Sequence, residues 1–291
     1  MVPPRWVLVT GTTSGIGRAT ALLLVRQGFH VIATGRRDAD LAELEREAGA
    51  SGQLKTLLLD VADAGSIAAA VQAVGTITSG SGLYGLVNNA GYGQSGPLEL
   101  VGDAEIRKQF EVNVFGLMAL TRAFLPAMRE RGEGRIVNVS SIVGKVCLPF
   151  QAVYCATKFA VEALSDGLRR EVAGFGVRVS IVEPGTIASR FEQTAFRTAE
   201  PFVAGSSVYS GAMARWKKLV GRVYAAAVGP GCVARAIARA LTAGRPCARY
   251  VAPWYGWGLV ALVTLVPARA LDVVLSLAMG LTRARMGKRA G

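Results

Sequence analysis

Short, near-continuous apolar runs alternate with helix-like stretches from the first residues of the chain onward. Trp6–Thr10 is such a run, followed by a glycine-rich turn and the helical stretch Ile16–Gln27, which Gly28 stops. Val31–Thr34 reads as a second strand and Leu41–Ala48 as the next helix. Leu57–Asp60, Leu83–Asn88, Ile136–Ser140 and Val177–Val182 read as strands three to six. Strands that are apolar throughout, rather than at every second position, are buried on both faces. The pattern therefore predicts an α/β chain whose parallel sheet carries helices on both sides. It loosens after Glu183. Residues 190–229 hold no clear strand, and a region covering a substrate would sit there if the strand ends bind ligand. Residues 231–243 read as a further helix and Tyr250–Val251 as a last short strand. Asn138-Val139-Ser140 matches a glycosylation sequon, but its place on a strand expected to be buried argues against modification.

Composition narrows the function. The chain has 291 residues, 51% of them hydrophobic and 18% charged, enough to bury a substantial core. Residues 1–200 hold 20 Lys and Arg against 19 Asp and Glu, while residues 201–291 hold 13 against one, Asp272. Such asymmetry suggests contact with something anionic: headgroups, nucleic acid or an acidic substrate. Cys147, Cys155, Cys232 and Cys247 show no C-x-x-C spacing, and His30 is the one histidine, so a Cys/His zinc site is not expected. Scattered thiols suit a reducing compartment. The N-terminal residues run straight into the first strand, which leaves no room for a cleavable signal peptide, and a cytoplasmic location is expected.

The glycine-rich turn is Thr10-Gly11-Thr12-Thr13-Ser14-Gly15-Ile16-Gly17. Glycines let a backbone approach a pyrophosphate, and the helix start that follows favours negative charge. The spacing, G-x-x-x-G-x-G, differs from the commoner G-x-G-x-x-G. At the end of the second strand, Gly35 takes the place where an acidic residue would hold the adenosine ribose of NAD(H), and Arg36 and Arg37 follow. Guanidinium groups suit a 2′-phosphate, which favours NADP(H); the bland alternative is a pair of solvated loop charges. Asp60, with Val61 after it, would receive the adenine amino group. Asn88-Asn89-Ala90-Gly91 closes the fourth strand, where small residues let a cofactor lie close.

Tyr154 and Lys158 stand four residues apart, on one face of a helix. An ammonium near a phenol favours the phenolate and lowers its pKa, so such a tyrosine can exchange a proton with a carbonyl or alcohol oxygen near neutral pH. Ser141, thirteen residues earlier, ends the fifth strand, where its hydroxyl would bond the same oxygen.

Taken together, residues 7–190 resemble the short, single-domain type of short-chain dehydrogenase/reductase. The Gly11–Gly17 turn, Asn88–Gly91, Asn113, Ser141, Tyr154-x-x-x-Lys158 and Pro184-Gly185 occur in that family's order and spacing. The resemblance implies a doubly wound Rossmann sheet of about seven strands. It makes Tyr154 the acid/base, and Lys158 the residue that binds the nicotinamide ribose and tunes Tyr154. Ser141 would orient the carbonyl and Asn113 would hold a proton-relay water. Ile187 and Ser189 would contact the carboxamide; serine stands where the family usually has threonine, and it keeps the hydroxyl. Leu148-Pro149-Phe150, the run from Tyr154 to Ala160, and Tyr92-Gly93 after Gly91 are more narrowly similar to the 17β-hydroxysteroid and retinol dehydrogenase branch, which handles lipophilic alcohols and ketones. A 3-oxoacyl-thioester reductase and a catalytically silent dinucleotide-binding regulator are the rival readings. Nucleic-acid binding is not expected, since the basic segment has no recognisable reading motif.

Residues 1–252 are expected to form the dinucleotide-binding and catalytic body, and 253–291 an apolar, basic helical extension. Tyr250 to Ala268 carries no charge, and Leu271–Leu281 is a second apolar stretch, with Arg283, Arg285, Lys288 and Arg289 beyond it. Trp254, Tyr255 and Trp257 are aromatics of the kind found at headgroup level. Pro253 and Pro267 argue against a single span, which needs about 20 residues. A helical hairpin lying on an anionic membrane is one reading. Packing on the body, closing the substrate site or making a homo-oligomer contact is the other.

Overall fold

In a computed structural model the described residues are 4–49 and 52–283. Arg285, Lys288 and Arg289, part of the expected basic end, lie outside them. The strands are β1 (Trp6–Val9), β2 (His30–Gly35), β3 (Leu54–Leu58), β4 (Gly85–Asn88), β5 (Gly134–Val139), β6 (Val177–Pro184) and β7 (Arg249–Ala252). All pair in parallel in one sheet of order β3-β2-β1-β4-β5-β6-β7. The chain winds outward in one direction from β1 to β3, crosses back, and continues from β4 to β7. The reversal falls between β1 and β4, where a doubly wound sheet opens a crevice at its carboxyl edge.

Helices α1 (Gly15–Arg26), α2 (Asp38–Ala48) and α9 (Gly231–Thr242) meet one face of the sheet. On the other lie α3 (Ala64–Ile77) and α5 (Gly116–Arg131), with Val172 at the end of α6 (Ala152–Glu171). Successive strand residues point to opposite faces. Val7 and Val9 accordingly join the first core, and Trp6 and Leu8 the second. Both sets are apolar because both faces are covered, which is why the strands read as unbroken hydrophobic runs. The short helix α4 (Asp103–Phe110) runs into α5 through a π-helical turn, Glu111–Phe115.

Two expectations need correction. The third strand occupies Leu54–Leu58 rather than 57–60. As an edge strand it pairs only with β2, from Leu54 on, so main-chain bonds carry it through the polar Lys55 and Thr56. Residues 190–229 are not loose. They form α7 (Arg190–Ala204) and α8 (Ser210–Ala225), which pack through Ala199, Ala212, Met213 and Trp216. Only a narrow stripe of each helix is buried, and exposed residues such as Arg197, Arg215, Lys218 and Arg222 occupy the rest. After β7 come α10 (Gly256–Leu265) and α11 (Ala268–Met279).

Asn138 is buried, so the sequon is not a surface site. Its Nδ2 donates to Ser165 Oγ at 2.8 Å, and its Oδ1 accepts from Asn88 Nδ2 at 2.9 Å. Asn88 Nδ2 also donates to Thr121 Oγ1 at 3.1 Å. This polar tie links β4, β5, α5 and α6 beneath the crevice. Asn138→Ala would strip buried partners, and an unsatisfied buried group costs about 1–3 kcal/mol. Denaturant unfolding should show a loss in that range. A change within about 0.5 kcal/mol, as for ordinary surface substitutions, would contradict the structural role.

Candidate active site

The crevice floor is built where β1 and β4 end. Thr10 Oγ1 accepts the amides of Asn89 and Ala90, each at 2.9 Å. Asn89 Nδ2 returns the tie, donating to the carbonyls of Thr10 at 2.8 Å and Gly11 at 3.1 Å. The first turn is thus bonded to the fourth strand's exit. Gly11 has φ +69° and Gly15 φ +55°, in the left-handed region that favours glycine. A Cβ on Gly17 would collide with the Gly11 carbonyl oxygen. Ser14 stands at the N-cap of α1 in extended backbone, its hydroxyl capping none of the first-turn amides, and that turn has no acidic residue. The helix therefore offers N–H groups and its positive end outward, beside Thr13, Gly15 and Ile16. An open cleft of about 500 Å³ lies there, lined among others by Thr13, Ser14, Gly15, Arg18 and Ser189.

Next along the crevice, Gly35 is buried, and a Cβ on it would come 2.5 Å from Thr13 Cγ2. Arg36 is exposed and faces Tyr92, whose phenol burial and Glu105 push upward while Arg36 pulls it down. Arg37 does not stand free beside it. Its Nε lies 2.7 Å from Asp40 Oδ2, within an ion pair one turn into α2. Asp60 Oδ1 accepts the Ala62 amide at 3.0 Å. Val61 is a core residue packed under α5, so only its main chain is left for a ligand.

Asn88, expected at the cofactor, turns its side chain into the sheet interior, where Asn138 and Thr121 take its Nδ2. Asn89, which the sequence reading did not single out, ties the two loops instead. Ala90 and Gly91 lie in tight packing: a Cβ on Gly11 would meet Ala90 Cα at 3.0 Å, and one on Gly91 would meet Asn113 Oδ1 at 3.1 Å. Ile187 is buried in the first core and bridges Val228. Ser189 caps α7, its Oγ accepting the Phe191 amide at 3.3 Å.

The carboxyl ends of β5 and β6 bring the remaining side chains together. Tyr154 and Lys158 occupy one face of α6, both buried, with the Lys158 ammonium 5.8 Å from the Tyr154 ring centre. Lys158 Nζ donates to the Val139 carbonyl at 2.9 Å. Ser141, two residues past β5, donates its hydroxyl to the Pro184 carbonyl at 3.3 Å, which links the serine loop to Pro184-Gly185. Asn113 sits in the π-helical turn, a feature frequent at functional sites. Its Oδ1 accepts the Tyr92 amide at 3.1 Å, and its Nδ2 donates to the Tyr92 carbonyl at 3.0 Å and to Thr157 Oγ1 at 3.1 Å. Thr157 Oγ1 in turn donates to the Tyr154 carbonyl at 2.7 Å.

Burial pushes the Tyr154 phenol well above its ordinary value, Tyr224 adds to this, and the Ser141 hydroxyl pulls against it. Burial lowers the Lys158 ammonium to about 8, and Glu162 opposes that shift. The Phe191 ring, brought by α7, lies 5.2 Å from Tyr154 at 52°. Val143, Leu148 and Phe191 make the surroundings of the phenol apolar.

Comparison with known proteins agrees with this geometry. The short chain dehydrogenase family matches residues 5–200. The uncharacterized oxidoreductase YbbO of Escherichia coli K12 is 38% identical over 274 residues, covering 94% of this chain and 95% of its own. Human retinol dehydrogenase 5 is 36% identical over 284 residues, covering 93% and 87%. The crystal structure of a short-chain dehydrogenase from Streptomyces avermitilis is 30% identical and superposes over 97% of this chain and 98% of its own, with a TM-score of 0.75. With the family's span, sheet order and long relatives all in agreement, the chain belongs to the short-chain dehydrogenase family and is an oxidoreductase of the alcohol–carbonyl class.

Proposed function

We propose that the protein is an NADP(H)-dependent reductase of lipophilic ketones or aldehydes, also competent in the reverse direction, with Tyr154 as its acid/base. The observation that carries this reading is the convergence of Ser141, Tyr154 and Lys158 at the carboxyl edge of the sheet, next to the glycine cradle at the start of α1. The cradle fits a dinucleotide: Gly11, Gly15 and Gly17 keep side chains out of it, and uncapped amides face it. Thr13, Ser14 and Ile16 would hold the pyrophosphate, Asp60 the adenine, and Arg36 a 2′-phosphate. Lys158 would hold the nicotinamide ribose, and the main chain of Pro184, Gly185 and Ile187, with Ser189, the carboxamide. NADPH, when bound, supplies the hydride. Ser141 orients the substrate oxygen, and the phenol, which burial keeps protonated, delivers the proton to it. As the phenolate forms, the nearby Lys158 charge favours it. Asn113 and Thr157 fix the start of α6 and would place the relay water. Val143, Leu148 and Phe191 favour an apolar substrate over a charged one, and the similarity to retinol dehydrogenase 5 supports that class.

The membrane-surface reading of the C-terminal segment gains support from what α10 and α11 expose. Among the described residues no helix is long and apolar enough to cross a membrane. Yet Trp254 is 80% and Leu265 81% exposed, with Leu262, Val273, Val274 and Leu277 also open. Met279 and Leu281 anchor the far end against α8, whose outer face presents Lys218 and Arg222. Arg269 and Arg283 flank α11 on the exposed side. Apolar side chains rimmed by cations, in a segment with one acid, fit an anionic lipid surface.

Tyr154→Phe should lower kcat by about 10²–10⁴ with NADPH affinity nearly unchanged; full activity in this variant would overturn the assignment. Arg36→Ala should weaken NADPH binding by about 1.5–3 kcal/mol, the worth of a charge-assisted bond, and leave NADH binding unaltered. Arg37→Ala should cost less, because that guanidinium is already paired with Asp40. Equal affinity of the wild-type protein for NADH and NADPH would contradict the arginine reading. For the membrane surface, the protein should sediment with vesicles rich in phosphatidylserine. The triple variant Trp254→Ser, Leu262→Ser, Leu265→Ser should stay in the supernatant. Wild type that remains soluble with these vesicles, or that self-associates through the same residues, would refute it.

A further inference from the structure

Behind the catalytic helix lies a cluster of charged side chains that no step above uses. Glu162 stands one turn beyond Lys158 on the same face of α6 and is buried. Lys145, just past the turn that follows Ser141, places Nζ 2.7 Å from Glu162 Oε2 and 3.6 Å from Glu183 Oε1. Arg249, at the start of β7, lies 3.1 Å from Glu162 Oε2, 3.2 Å from Glu183 Oε1 and 2.8 Å from Asp166 Oδ2. Arg169 pairs with Asp166 at 3.0 Å. Glu183 is fully buried and precedes Pro184, whose carbonyl holds Ser141. The cluster therefore joins α6, β6, β7 and the serine loop.

The loop is also wedged from within. A Cβ on Gly144 would come 2.9 Å from Ser140 Oγ, 3.1 Å from Glu162 Cγ and 3.2 Å from the Lys158 carbonyl. Among the described residues, Oε2 of Glu183 and Oε1 of Glu162 have no hydrogen-bond partner, and Oε1 of Glu183 meets only the cations of Lys145 and Arg249. Burial, and the Glu162 charge, push Glu183 up to about 7.

Tyr154 and Glu162 share the helix of Lys158, and the Val139 carbonyl of β5 accepts its ammonium. Lys145 from the serine loop and Arg249 from β7 reach Glu162 and tie Glu183 of β6 to it. Tyr224, from α8, acts on Tyr154.

We propose that Glu162 is a positioning residue for the reaction: its carboxylate, one helical turn from Lys158, holds Lys158 in the ammonium form, and Lys145 sets how much of that charge Lys158 feels. The inference rests on the reading of Lys158 as the nicotinamide-ribose ligand only for its functional consequence. The electrostatic link rests on Glu162 standing one turn beyond Lys158 on the same buried face of α6. The sign follows from the burial of Lys158. Its ammonium is present below a midpoint near 8 and is lost above it. Removing the anion beside it must lower that midpoint, and removing the cation that competes for the anion must raise it.

The test follows the 13Cε resonance of Lys158 through a pH titration of the full-length protein labelled at lysine, assigned by its loss in Lys158→Ala. Glu162→Gln should move the Lys158 midpoint down by about one unit, a typical effect of one nearby opposite charge. Lys145→Gln should move it up. Opposite shifts cannot come from a general loosening of the fold. An unchanged midpoint in a folded Glu162→Gln protein, or shifts of the same sign in both variants, would overturn the proposal. NADPH affinity across the same pH range is the second arm. It should fall through the same midpoint in each variant. If the resonance shifts as expected while affinity ignores pH, the Glu162 link stands and the assignment of Lys158 to the ribose fails.

Discussion

Two loops that exit neighbouring strands are bonded face to face where the strand order reverses. Thr10 Oγ1 takes two amides from Asn89 and Ala90, and Asn89 Nδ2 takes two carbonyls from Thr10 and Gly11. Buried polar groups of this kind cost free energy unless paired, so the reciprocal bonding fixes one geometry. The consequences run outward from it. The Gly11 turn is pressed against Ala90, which leaves no room for side chains and forces glycine at the positions that would fill the cradle. Helix α1 then starts with its amides aimed into the crevice, and the ends of β5 and β6 lie beside it on the same edge.

Chemistry at that edge depends on burial. Tyr154 and Lys158 are both withdrawn from water, and burial works in opposite directions on them, favouring the neutral phenol and the neutral amine. A site that needs a proton donor next to a cation must then favour the charged amine by another means. The Glu162 carboxylate behind Lys158 opposes the effect of burial on it, and Lys145 and Arg249 keep that carboxylate from being an uncompensated charge. The same ion pairs hold the loop that carries Ser141, so position and charge are set by one set of contacts.

Much of this was legible in the sequence, and the limits have physical causes. The two-sided sheet could be read because each inner strand is apolar on both faces. The edge strand β3 was misplaced because half of it is held by main-chain bonds that its polar side chains do not report. Helices α7 and α8 were missed because only a narrow stripe of each, with Ala199, Met213 and Trp216, is buried among many exposed and charged residues. In the site, the glycine turn, Ser141, Tyr154 and Lys158 were found at the crevice because their spacing carries their chemistry. Asn88 and Arg37 show where spacing falls short, since nothing in the chain order says that Asn138 and Asp40 already claim their side chains. Glu162, Glu183, Lys145 and Arg249 come from four separate elements, and only the fold brings them together. A carboxylate one helical turn after Lys158 was the single visible trace of that cluster.

In the proposed reaction this crevice moves a hydride from NADPH to an apolar carbonyl while Tyr154 supplies the proton. The most direct measurement uses NADPH carrying deuterium at C4 of its nicotinamide, incubated with steroid, retinoid, fatty-acyl and small carbonyl compounds. Mass spectrometry of the alcohol products then locates the label. The account predicts one deuterium on the carbinol carbon of a lipophilic product, with the new hydroxyl proton exchanging from solvent. Tight NADPH binding without label transfer to any compound of the panel would contradict it, and would leave the crevice as a dinucleotide-binding site without turnover.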